Sequence, residues 1–320
     1  MHSIARENLQ TYLYSYKDGK EQGISLLSDG RARYTRRVQE EEKQAVEALR
    51  NVIKCTVAFA VQTHLPYDGS LEDESPFYPK TVSYKKDDFI HIYQRYNKDW
   101  WLGRVVGHHT TIGFVPTARR IIRLLSYERD PTGGVWELPR PYTVVPSTRP
   151  IVLIGPSRQN CRLTQLMHAA VRYALVEHFG PRMRRLSTHI GDKSDPEGSE
   201  RELWVITSLA QQLHLVLLDA PNVDSPADLQ KMPLAPIFIQ FRIIHRKILI
   251  KLLKKSGSGG PDLQAADLLS VLPNDQVDLI IDENDLAAAT RKIQNFLEDY
   301  WRALHPSTPV MEAAYLSRYF

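Results

Sequence analysis

Three kinds of hydrophobic patterning succeed one another along the chain. The first 33 residues show no sustained period and end in SLLSDGRARY, which predicts a flexible segment. From Thr35, TRRVQEEEKQAVEALRNVIK sets Val38, Ala45, Ala48, Leu49 and Val52 in a partial apolar stripe among mixed charges, the mark of a helix. The period then shortens. CTVAFAVQT, TVSYKKDDFIHIYQRY, DWWLGRVV and TIGFVPTARRIIRLL read as short strands parted by turns, and about five of them in some seventy residues predict a small barrel. The Pro- and Gly-rich SYERDPTGGVWELPRP reads as a linker. Beyond it, continuous apolar runs (PIVLIGPS, LHLVLLDA, PIFIQFRI) alternate with helical stretches (CRLTQLMHAAVRYALVEHFG, RKILIKLLKK, LQAADLLSVL, ENDLAAATRKIQNFLEDYWRAL). That interleaving predicts a parallel α/β sheet. The expected organisation is a flexible segment 1–33, a helix and barrel over 34–130, a short hook 131–140, the last barrel strand and the α/β domain over 141–307, and a tail 308–320.

Composition changes this picture little. Of 320 residues, 42% are hydrophobic, enough for two cores. A net charge of +4 on a mixed surface makes no electrostatic case for nucleic acid. The two cysteines, Cys55 and Cys161, form neither a disulfide framework nor a metal spacing, and the histidines lack HExxH or carboxylate partners. No apolar run approaches a membrane span, and the polar N-terminus lacks a signal-peptide core, so a cytoplasmic protein is expected. His2 excludes N-myristoylation.

Candidate chemistry concentrates at Ile151–Leu163, IVLIGPSRQNCRL. An apolar strand running into Gly155, Pro156 and Ser157 begins as phosphate-binding loops do. Such a loop needs glycines so that backbone N–H groups reach the phosphates, a lysine, and a Ser/Thr for magnesium. Here Arg158 and Asn160 occupy the glycine positions, and Cys161 and Arg162 stand where Lys and Ser/Thr belong. Catalysis, a nucleotide and any cofactor are therefore not expected.

AFAVQTHLPYDG, KKDDFIHI, DWWLGRV and GFVP, with the paired Trp100 and Trp101 and the Gly113–Pro116 turn, occur in the order of an SH3 domain. SH3 aromatics form a polyproline groove or, where covered, are core; Tyr67 is kept but the usual close-set tyrosine pair is missing. With KDDFIHI…YNKDWWLGR, PYTVVPS…RP, LVLLDA, LAPIFIQFRI and DENDL, the stretch from about 35 to 307 resembles the β subunits of voltage-gated calcium channels. The resemblance implies a split SH3-like barrel completed by PYTVVPS, followed by a guanylate-kinase-like domain. It implies a non-enzymatic auxiliary subunit, held at the inner face of the plasma membrane through the channel. Its partner would be the pore-forming α1 subunit, whose I–II linker contributes an amphipathic helix to a groove.

In this chain the expected groove combines Leu163, Met167 and Ala170, within the apolar face that also holds Leu166, Val171 and Ala174, with Leu263, Ala266 and Leu269, and with Asn284 and Leu286. Met167 falls at the family's groove methionine, a side chain able to adapt to large anchors. Asn284 matches a family position that hydrogen-bonds the bound helix, although an asparagine there also suits a helix cap. Ala287 departs from the family's acidic residue. An alternative is a membrane-associated guanylate kinase scaffold that binds phosphopeptides through a basic pocket including RMRRLS. FRIIHRKILIKLLKK is basic and partly amphipathic, and its lysines are expected to face solvent.

Overall fold

Apolar residues at alternate or continuous positions become strands wherever two faces can be covered, and the computed structural model shows where that happens. It describes residues 22–72, 74–127, 140–192, 196–283 and 285–306, with side chains from residue 37. The hook expected from sequence apart from Arg140, the tail, and the first 21 residues of the segment expected to be flexible lie outside these. The chain divides into two compact units, Met1–Ala48 and Leu49–Phe320. The described part of the first is a helix, α1 (Gln22–Val52), whose last four residues lie past the boundary. It starts thirteen residues before Thr35. Gly23 and Gly30 weaken the helical pattern there by about 1 kcal/mol each, but no proline stops it.

The second unit opens with five antiparallel strands: β1 (Phe59–Thr63), β2 (Phe89–Arg95), β3 (Trp100–Val105), β4 (Gly113–Pro116) and β5 (Tyr142–Val145). Their order is β4-β3-β2-β1-β5. The last strand thus returns across the sequence to close on the first, with Ala60 opposite Val145 and Thr63 opposite Tyr142. This is the split SH3-like arrangement. Gly113 has no alternative: a Cβ there would sit 2.1 Å from Lys80 O. Val61, Ile90, Ile92 and Val115 form the core.

The run ARRIIRLLSY is not strand but helix, α2 (Ala118–Tyr127). Short apolar runs carry little period, and two local signals decide this one. Thr117 accepts the Arg120 N–H through its hydroxyl at 3.4 Å, and Ile121 N–H reaches Thr117 O at 3.1 Å, so a capped first turn forms. The helix carries Arg120 over the Trp100 ring at 4.8 Å. Arg120 also grips both carboxylate oxygens of Glu72, whose Oε2 accepts from Tyr67 OH at 2.8 Å. Burial pulls the Glu72 carboxyl up, but the bonds from Arg120 and Tyr67 outweigh it and hold the pKa below the usual value. Trp100 is 2% exposed and is covered by the chain's own arginine, whereas Tyr67 and Trp101 are only partly buried.

The parallel sheet has the order β10-β9-β6-β8-β7. Its strands are β6 (Ile151–Ile154), β7 (Met183–Ser187), β8 (Leu215–Asp219), β9 (Ile237–Phe241) and β10 (Leu279–Ile281). The helices are α3 (Arg162–Phe179), α4 (Pro196–Ala210), α5 (Arg246–Lys255), α6 (Gly260–Ser270) and α7 (Leu286–Leu304). Ile151, Leu153, Leu217 and Ile239 pack with Val171 and Leu175 of α3 and with Ile293 and Leu297 of α7. Their neighbours Val152, Ile154, Leu218 and Phe238 face the opposite way, with Ile206 and Ala210 of α4. The two edge strands were not read from sequence. β7 alternates weakly because its arginines point to solvent, and β10 is three residues long. Barrel and α/β sheet are joined by Arg104 of β3, which donates to Ala303 O at 2.7 Å and Leu304 O at 3.1 Å at the end of α7.

Among the described residues, no helix is long and apolar enough to cross a membrane.

Candidate functional site

At the carboxyl end of β6, where parallel α/β folds place their ligands, the degenerate loop is closed by the chain itself. Gly155 has φ +71°, and a Cβ there would meet Phe241 O at 2.5 Å. Ser157 donates its N–H to Thr164 Oγ1 at 3.2 Å and its hydroxyl to Asp262 O at 2.7 Å. Arg158 pairs with the Asp262 carboxylate at 3.1 Å. The Gln159 N–H donates to Asp224 Oδ1 at 2.6 Å, and its side-chain amide to Leu153 O at 2.7 Å and Val223 O at 2.9 Å. A carboxylate therefore occupies a backbone donor in the loop that would otherwise face an anion. Cys161 is buried with Sγ 3.3 Å from Ser258 Oγ, while Asn160 and Arg162 face solvent.

Behind the loop, His168 of α3 donates from Nε2 to Gly155 O at 2.7 Å. Burial pushes its pKa down to about 4. The unfolded chain takes up this proton near pH 6.5, so between about pH 4 and 6.5 the unfolded state binds more protons and stability falls as pH falls. Comparing urea unfolding at pH 7.5 and pH 5, we expect His168→Gln to remove about 2 kcal/mol of the wild-type loss. Carboxylates titrate mostly below this window. Equal pH dependence in the two proteins would show that His168 titrates in the fold as it does in the unfolded chain.

Beside the loop lies a groove of about 330 Å³. One wall is α3, through Leu166, Met167 and Ala170; the opposite wall is α5, through Ile248 and Leu252. The first turn of α7 contributes Asp285, Leu286 and Ala289, and the floor comes from the ends of β9 and β10, including Phe241, Ile243 and Ile281. Leu166 is 59% exposed, Leu286 49% and Ile248 45%. Three large apolar side chains thus stand in water around one depression, a surface that would gain from being covered.

The structure divides the expected groove residues. Met167, Ala170 and Leu286 line this groove. Leu163 and Ala266 are buried in a cluster with Leu249 and Leu253, against which Leu263 and Met167 pack. Ala266 and Leu269 also border a neighbouring cavity of about 670 Å³ between α5, α6 and the ends of β9 and β10. Asn284 lies outside the described residues. The helix facing α3 across the groove is α5, whose Ile248 and Leu252, four residues apart on RKILIKLLKK, were the available signal. Buried Leu249 and Leu253 on the adjoining stripe anchor that helix.

No family model matches the chain. The apo SH3–kinase fragment of tight junction protein 3 aligns over 76% of this chain and 96% of its own, at 16% identity and a TM-score of 0.33. The two sheet orders, rather than this distant likeness, define the fold here.

Proposed function

We propose that the chain is a non-enzymatic adaptor whose α/β domain takes an amphipathic helix of a partner protein into the groove between α3, α5 and α7. The observation that carries this reading is the exposed apolar triad Leu166, Ile248 and Leu286 around a groove next to a loop already filled by Asp224. A docked helix with anchors at i, i+3, i+4 and i+7 spacing matches such a surface. The sequence resemblance supplies the partner: the I–II linker helix of a voltage-gated calcium channel's pore subunit. In this role the protein regulates channel trafficking and gating from the inner face of the plasma membrane.

A phosphopeptide scaffold would need free basic charge around RMRRLS. Arg182 already pairs with Glu298 at 2.6 Å, and Arg185 with Asp219 at 2.7 Å, which favours the helix reading. Calorimetric titration with a synthetic linker-helix peptide tests it, with ATP plus GMP titrated separately. Submicromolar peptide binding with no nucleotide heat is expected. Nucleotide turnover, or binding of a phosphopeptide in place of the helix, would overturn the proposal.

A further inference from the structure

We propose that α5 lies against an anionic lipid surface and holds it through a face of lysines. The inference concerns the outside of this helix rather than the groove, and it stands whether or not a partner helix docks. Lys247, Lys251, Lys254 and Lys255 recur at i, i+4, i+7 and i+8, which places them on one helix face. All four are exposed, and among the described residues no carboxylate pairs with any of them. None of the four lines the groove. On the other side of the helix, buried Leu249 and Leu253 fix it to the core, so the lysines are presented on a rigid element.

Folding does not account for the whole arrangement. Cations at the end of a helix complement its dipole, which explains Lys254 and Lys255. Arg246 and Lys247 stand at the start, where positive charge is unfavourable, and the first turn holds no acidic residue. Asp267 compensates Arg246 at 2.8 Å, and Lys247 has no such partner. Ile244, just before the helix, is exposed as well. Flexible ammonium groups with an apolar side chain beside them suit a diffuse negative surface, the isoleucine entering the headgroup layer. A single carboxylate or phosphate on a protein partner is better gripped by an arginine fork, and Arg246 is already taken. A nucleic acid would find no aromatic side chain to stack on between Arg246 and Lys255. A leaflet rich in phosphatidylserine meets these features best.

The test is cosedimentation of the full chain with phosphatidylcholine vesicles, with and without about 30% phosphatidylserine, at about 0.1 M salt. Binding only to the vesicles that contain phosphatidylserine is expected, and it should vanish at about 0.5 M salt. Lys247→Gln, Lys251→Gln, Lys254→Gln and Lys255→Gln together should weaken it about a hundredfold. Arginine at the same four positions should keep it. A control with Lys85→Gln, Lys86→Gln, Lys98→Gln and Lys231→Gln loses the same net charge from other exposed positions and should bind nearly as wild type does. All these side chains are on the surface, so each variant should melt close to wild type. Calorimetry of the first variant with the linker-helix peptide should give the wild-type affinity, which separates this inference from the groove. No binding to the phosphatidylserine vesicles, an equal loss in the control, or tighter lysine-dependent binding to a duplex RNA would overturn the proposal.

Discussion

Replacing Arg104 with methionine is expected to cost about 3–4 kcal/mol of folding stability, read from urea unfolding at pH 7. The side chain is 1% exposed. Besides the carbonyls of Ala303 and Leu304, it donates to Tyr93 OH at 3.0 Å and Thr110 Oγ1 at 3.3 Å. Among the described residues no carboxylate pairs with it. Its charge is met instead by the carboxyl end of α7, where the helix dipole concentrates negative potential. Methionine fills most of the space but donates nothing, leaving two buried carbonyls without partners, each worth about 1–3 kcal/mol, and the half-buried Tyr93 hydroxyl without its donor. The arginine's own desolvation is relieved at the same time, so the net loss is smaller than the sum. Since β3 belongs to the barrel and α7 packs on the parallel sheet, the variant should also loosen the barrel from the α/β domain, visible as faster amide exchange in β2 and β3. A loss under about 1 kcal/mol would mean that water reaches the freed carbonyls.

That contact joins residues nearly two hundred positions apart, and nothing local announces it. The same distinction separates what was legible from what was not. β1, β2, β3, β6, β8 and β9 were readable because each is an uninterrupted apolar or alternating run long enough to show its period. β7 and β10 were not, being an edge strand of outward arginines and a fragment of three residues. IIRLL fits a strand and a helix equally well, and the Thr117 cap that decides it is a single weak letter.

In the loop, Arg158, Asn160, Cys161 and Arg162 already spoke against a nucleotide. The carboxylate that fills the site, Asp224, lies 65 residues further on and carries no motif. In the groove, apolar positions at helical spacing on α3 and α7 were visible, yet spacing alone does not say which apolar residues face the core. Leu163 and Ala266 went inward, while Leu286 and the unexpected Ile248 stayed outside. Membership of a groove is set by the crossing of helices, and one helix's sequence does not encode its neighbour's position.

Ala170→Trp should abolish helix binding, by about a hundredfold or more, while leaving the fold almost untouched. Ala170 lines the α3 wall of the groove and is only partly buried, so an indole there projects into the 330 Å³ space rather than into the core. The helix-propensity cost of tryptophan relative to alanine is about half a kcal/mol, and a partly buried position that opens on the groove adds little strain. A hundredfold loss corresponds to about 2.7 kcal/mol, less than a large anchor side chain contributes when its pocket is filled. Met167→Ala is the less informative change. Met167 packs against both the sheet cluster and the α5–α6 cluster, so truncating it opens a cavity and lowers stability together with any affinity. Filling the groove separates the two effects, because the variant should melt within a few degrees of wild type yet give no calorimetric signal with the linker-helix peptide. If Ala170→Trp binds that peptide as tightly as wild type does, the helix docks elsewhere and the exposed leucines of α3 and α7 need another occupant.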